Sequence, residues 1–130
     1  MHEPPIILII DDDPQVVKLF GQKLTGAGFE VKEAFSGKDG YETAKVEKPD
    51  LIILDLRMPV WDGIETLSQL KKDAETKDLK VIVVSSWNDW WTMKVSKEDF
   101  KTMGALDFID KSIDLDKLVL TCRSIINEPH

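Results

Sequence analysis

The sequence predicts an α/β domain built on a five-stranded parallel sheet. Three observations carry the prediction: five short apolar stretches recur at nearly constant spacing, each gap between them holds a helical pattern, and three of the stretches are apolar throughout. The stretches are IILII at 6–10, FEVKEA at 29–34, LIIL at 51–54, VIVV at 81–84 and ALDFI at 105–109. Their starts lie 23, 22, 30 and 24 residues apart, close to the length of one strand-plus-helix unit. Alternation of this kind defines a (βα)5 domain with a parallel sheet.

The first strand is apolar at every position, as expected where helices cover both faces of a parallel strand. A helix follows it, with Val16, Val17, Phe20 and Leu24 at helical spacing and Asp13–Pro14 as its cap and first residue. The second strand alternates, Phe29 and Val31 against Glu30 and Lys32, which marks a sheet edge. The third and fourth strands are again apolar throughout, and Ile64, Leu67 and Leu70 form the helical stripe between them. A capping box at Ser96 and Asp99 starts the fourth helix, which runs to Met103 and stops at Gly104. The fifth strand is interrupted by Asp107, marking the other edge, and Leu118, Ile125 and Ile126 define the last helix. Right-handed crossovers with strands two and five at the edges give the order 2-1-3-4-5. This is the flavodoxin-like doubly wound arrangement, whose ligands bind at the carboxyl ends of the strands flanking the switch point between strands one and three.

Composition narrows the function. At 130 residues the chain fits a single domain over 1–130, with its core at about 6–126, and needs no disulfide or metal staple. Hydrophobic residues at 42% and charged residues at 32% are ordinary for a soluble globular chain. A net charge of −7 argues against direct nucleic-acid binding and against an anionic membrane surface. Cys122 is the only cysteine, so no intrachain disulfide forms. The run Ile6–Ile10 is too short for a signal peptide or membrane span. A cytoplasmic location is the expectation, and the missing Gly-rich loop after strand one disfavours nucleotide binding.

The strand ends carry the chemistry. Strand one runs into Asp11, Asp12 and Asp13, strand three into Asp55, and strand four into Ser85 and Ser86, while Lys111 follows strand five. Asp13 is accounted for as a helix cap. Carboxylates from two adjacent strands repel one another unless a cation joins them, and an oxygen-only donor set suits Mg²⁺. Open Mg²⁺ sites complete their shell with a phosphate oxygen. Lys111 and Ser85 offer a positive charge and a hydroxyl to the same phosphoryl group. Asp55, between them, can act as a carboxylate nucleophile that forms an acyl phosphate.

The segments IILIIDDDP, LIILDLRMPVWDG, VIVVSS and ALDFIDKS closely resemble the signature blocks of the response-regulator receiver domain of two-component signalling, in its chemotaxis-regulator-like form. The resemblance runs from about Ile6 to about Ile126. It implies that Asp11 and Asp12 are the acidic pair, Asp55 the phosphoacceptor, Ser85 the hydroxyl and Lys111 the lysine of that family. It implies Mg²⁺ bound by Asp12, Asp55 and the backbone carbonyl of Arg57, with Asp11 holding a metal-bound water. A histidine kinase or phosphotransfer protein would supply the phosphoryl group. Ser85 and Phe108 would act as the switch, and a downstream effector protein would read it. The side chains two positions after Asp55 and Ser85, Arg57 and Trp87, would tune water access to the acyl phosphate; neither orients an attacking water, which implies a long-lived phosphoryl group.

Three departures from the family pattern stand out. Lys111 is followed by Ser112 where the family has a cis proline, and a cis Lys111–Ser112 bond is the expectation. Ser85 and Lys111 stand 26 positions apart, a few more than usual. The extra stretch, WNDWWTMKV, is expected to be a long aromatic loop, with Trp87, Trp90 and Trp91 either covering the ends of strands four and five or forming a partner surface. Trp61 is expected to shield the phosphoacceptor or to pack locally. Two other functions compete. A Mg²⁺-dependent phosphohydrolase with Asp55 as nucleophile resembles haloacid dehalogenases, but those carry an Asp two residues on, where this chain has Arg57. A non-phosphorylated receiver-like scaffold would have no need of Asp12, Asp55, Ser85 and Lys111 together. The chain ends after its last helix, so output through a partner or a separate domain is expected. A receiver that modifies itself is not an enzyme with turnover.

Overall fold

The computed structural model describes residues 2–129, with the side chains of Trp87, Trp90 and Trp91 outside the described set. Five strands, β1 (Ile6–Ile10), β2 (Glu30–Ala34), β3 (Leu51–Leu54), β4 (Val81–Ser85) and β5 (Asp107–Asp110), form one parallel sheet in the order β2-β1-β3-β4-β5. The helices are α1 (Pro14–Gly26), α2 (Gly37–Glu47), α3 (Gly63–Lys72), α4 (Trp87–Met93), α5 (Lys97–Thr102) and α6 (Leu115–Asn127). The predicted order and edges are those observed.

Alternation along the buried strands feeds two cores. Ile7 and Ile9 of β1 join Ile53, Val84, Val17, Phe20, Leu118 and Cys122 under α1 and α6. Leu8 and Ile10 join Leu54, Val83, Leu67, Leu70, Phe100 and Phe108 under α2, α3 and α5. Residues of period two thus point to opposite faces, and both faces are covered by helices. Burial in the first core pushes the Cys122 thiol up to about 12, so it serves as a small apolar side chain. No helix of the described residues is long and apolar enough to cross a membrane.

Local signals behave as the sequence predicts at most helix ends. Asp13 caps α1 by accepting from Gln15 N, and Pro14 opens it. Ser96 and Asp99 form the capping box of α5, and Gly104 follows at φ +104°. Two strand starts shift. Phe29 stays outside β2 because its N–H bonds to Leu24 at the end of α1, and Ala105 outside β5 because its N–H bonds to Phe100 at the end of α5.

The stretch after β4 departs from expectation: it is helical, not a loop. Ser86 immediately precedes α4, its carbonyl and hydroxyl both accepting from Asp89 N, at 3.1 and 3.4 Å. Ser86 and Asp89 thus repeat the Ser-x-x-Asp spacing of Ser96 and Asp99. Lys94, at φ 55°, closes the helix, so the fourth crossover holds two short helices in place of a loop and one. The fate expected for the Trp87, Trp90 and Trp91 side chains falls outside the described residues.

Candidate functional site: an acidic pocket at the sheet's switch point

Register places the acids. Asp55 N donates to Ile10 O at 2.8 Å, extending the β1–β3 ladder one residue past β3, and the Ile10–Leu54 register sets Asp11 and Asp55 side by side. The loop after Asp55 returns sharply: Gly63 N bonds to Leu56 O at 2.7 Å, and a Cβ on Gly63 would lie 2.5 Å from Asp55 O. Only glycine fits there, so α3 seats directly on the backbone of Asp55. Trp61, in the same loop, packs on Tyr41 of α2 with ring centroids 5.8 Å apart. Packing of this kind is one of the two expectations for it.

Asp11 and Asp55 are each 3% exposed, and Asp12 lies in the open. One carboxylate oxygen from each of the three falls within 4.8 Å of the others. The Lys111 ammonium bridges the two buried acids, 3.0 Å from Asp11 Oδ2 and 3.1 Å from Asp55 Oδ1. Ser85 Oγ, fully buried, stands 3.2 Å from Asp55 Oδ1. The four strand ends singled out in the sequence therefore meet. A cleft lined by Asp12, Arg57, Met58 and Pro59 opens beside the exposed acid.

The electrostatics are those of two anions sharing one cation. Burial raises the Asp55 carboxyl, and the neighbouring Asp11 raises it further. Lys111 and Ser85 offset only part of this, leaving it at about 6. Asp11 is also raised, again by burial first, against the opposing pull of the Asp13 N–H and Lys111. For Lys111 burial favours the neutral amine, but Asp55 and Asp11 together outweigh it and hold the ammonium above its ordinary value. The surplus negative charge and the oxygen-only donors fit a hard divalent cation, which Asp11, Asp12 and Asp55 could hold.

The Lys111–Ser112 bond is trans, against the expected cis bond. The reason lies in the serine. Its N–H and hydroxyl both donate to Asp110 Oδ1 at 2.8 Å, a local turn that proline, lacking the N–H, cannot make. Lys111 N meanwhile bonds to Ser85 O at 3.0 Å. These contacts aim the lysine into the pocket without a cis peptide. Phe108 is buried against Phe100, with centroids 4.7 Å apart.

One residue at the site escaped the sequence reading. Asp89 Oδ2 lies 2.9 Å from Ser85 Oγ, and Asp89 Oδ1 lies 3.5 Å from Arg57 Nη1. Burial opposes ionisation of Asp89, but the hydroxyls of Ser86 and Ser85 and the Arg57 guanidinium overcome it and hold the carboxyl below its usual range. The signal was present, because Asp89 stands at the third position of a helix opened by Ser86; reading that segment as a loop hid it.

Two buried acids, one exposed acid, a lysine and a hydroxyl thus meet at the carboxyl edge of a doubly wound five-stranded sheet, the arrangement that sets the class of this domain. Residues 7–123 match the response regulator receiver domain, and the chain belongs to that family. It is 37% identical over 120 residues to the protein PilH of Pseudomonas aeruginosa, covering 92% of this chain and 96% of PilH. It is 33% identical to the DNA-binding dual master transcriptional regulator RpaA of Synechocystis, covering 94% of this chain but only 49% of RpaA. Among solved structures, the CheX–CheY–BeF3–Mg complex from Borrelia burgdorferi matches with a TM-score of 0.81 and 28% identity, covering 95% of this chain and 90% of that one.

Proposed function

We propose that this chain, as one domain over 1–130, is the phosphoacceptor module of a two-component phosphorelay, with Asp55 as the residue modified. The carrying observation is the Asp55 carboxylate, buried yet held within 3.1 Å of Lys111 and 3.2 Å of Ser85. An in-line attack by Asp55 on a phosphohistidine whose other ring nitrogen carries a proton forms the new P–O bond as the P–N bond breaks, and the neutral imidazole leaves. Positioning and charge neutralisation supply the acceleration. Lys111 follows the charge onto the phosphoryl oxygens, and Ser85 donates to one of them.

Asp12, Asp55 and the Arg57 carbonyl would hold Mg²⁺, with Asp11 placing a metal-bound water. The bound ion supplies neutralisation of the phosphoryl charge. The Borrelia relative, whose structure holds Mg²⁺ and beryllofluoride, supports this reading. The donors are a histidine kinase or phosphotransfer protein, and the reader is a downstream effector protein in the cytoplasm. Ser85, drawn to the phosphoryl group, vacates space into which Phe108 turns. Arg57 stands where a haloacid-dehalogenase-type phosphohydrolase needs an acid, which favours self-modification over turnover.

Incubation with acetyl phosphate or a phosphoramidate and Mg²⁺ tests the reading by a mass gain of ~80 Da, one phosphoryl group. The gain is expected in the wild type and not in Asp55→Asn. An unmodified wild type, or equal gain in the variant, overturns it.

A further inference from the structure

The Ser85 hydroxyl faces two carboxylates with one proton. Its Oγ lies 3.2 Å from Asp55 Oδ1 and 2.9 Å from Asp89 Oδ2, and a hydroxyl donates a single hydrogen bond. Serving one acid leaves the other facing an oxygen lone pair. The shorter contact is to Asp89, while Asp55 already has the Lys111 ammonium. Asp89 belongs to α4 and Ser85 to β4, so this one proton ties the helix to the sheet. Arg57, from the loop after β3, approaches the other Asp89 oxygen, a second contact between α4 and the loop that follows Asp55.

We propose that Asp89 is a positioning residue that competes with the phosphorylated Asp55 for the Ser85 proton, holding α4 on β4 in the resting protein and releasing it on modification. This rests on the phosphoacceptor reading of Asp55. A phosphoryl group brings three strong acceptor oxygens and close to two negative charges. It outbids the Asp89 carboxylate for the hydroxyl and repels that carboxylate, which faces it from the other side of the Ser85 oxygen. Arg57, paired with Asp89 at 3.5 Å, is a second group that the new charge attracts. The segment so released carries three tryptophans in seven residues, Trp87, Trp90 and Trp91. Its release is therefore a change that a protein partner can read.

Amide hydrogen exchange of residues 87–93 in the full chain tests this with a double-mutant cycle. In the unmodified protein, Asp89→Ala and Ser85→Ala should each speed exchange there about three- to tenfold, the effect of one lost hydrogen bond. The double variant should be no faster than either single one, and exchange in β1 and β3 should be unchanged. If Asp89→Ala speeds exchange equally in the Ser85→Ala background, Asp89 is only a helix-start residue and the proposal fails. It fails too if neither variant alters exchange. Phosphoramidate with Mg²⁺ should loosen residues 87–93 in the wild type and add nothing in Asp89→Ala; modification without loosening overturns the competition. A wild type that gains no phosphoryl mass overturns the phosphoacceptor reading instead, while the cycle still decides whether Asp89 acts through Ser85.

Discussion

Asp55→Asn should make the metal-free protein more stable at neutral pH, even though it replaces the charged acceptor that faces Lys111 and Ser85 with a neutral one. Burial and Asp11 move the Asp55 carboxyl from 3.8 up to about 6. At about 1.4 kcal/mol per tenfold, ionising it in the fold costs about 3 kcal/mol relative to the unfolded chain. The sign follows from proton binding. Between pH ~4 and ~6 the folded protein keeps a proton that the unfolded chain has released, so stability from this group falls as pH rises through that window. Above it the whole penalty is present. Asparagine keeps the shape without the charge and relieves Asp11 as well, while Lys111 retains Asp11 at 3.0 Å. Some of the gain is lost because Lys111 and Ser85 lose a charged acceptor, so a net gain of about 1–3 kcal/mol is expected. Urea unfolding of both proteins in chelator at pH 7.5 and pH 4.5 measures it. Other groups titrate in both proteins, Asp73 for instance, held at about 2 chiefly by the Tyr41 hydroxyl, so the difference isolates the site. The gain should shrink toward pH 4.5. A variant no more stable than wild type at pH 7.5, or a gain independent of pH, would refute the electrostatic account.

Mg²⁺ should stabilise the wild type by about 1 kcal/mol at several times its dissociation constant, and Asp12→Ala should abolish that response; a melting temperature indifferent to millimolar Mg²⁺ in the wild type is the contrary result. Gly63→Ala should destabilise the fold by about 1–3 kcal/mol through overpacking against Asp55 O, and slow phosphoryl uptake in proportion as the Asp55 backbone is displaced; unfolding curves and mass-gain kinetics check both. Arg57→Asn should shorten the life of the phosphoryl group, because the amide offers an acceptor that can orient a water toward Asp55 where the guanidinium offers none. Phosphoryl decay at saturating Mg²⁺ reads this directly, and an unchanged or longer lifetime would count against any shielding by Arg57.

The amino-acid sequence by itself determined the sheet and the meeting of its strand ends. Continuous apolarity of Ile6–Ile10, Leu51–Leu54 and Val81–Val84 requires two covered faces, and the mixed character of β2 and β5 leaves them only the edges. Once that order holds, Asp11, Asp12, Asp55, Ser85 and Lys111 all lie at the carboxyl edge of the sheet that holds the switch point, because each ends a strand or follows one within two residues. Tertiary structure alone decided the rest. The Lys111–Ser112 bond is trans because Ser112 finds Asp110 in a local turn, a contact that family likeness to a proline could not reveal. Asp89 reaches Ser85 because Ser86 opens a helix directly after β4, and a short helix of tryptophans leaves no apolar stripe by which to see it. The raised carboxyl of Asp55 is likewise a property of the pocket. Burial and the neighbouring charge of Asp11 set it, and those exist only when residues 44 positions apart in the chain are brought together in space.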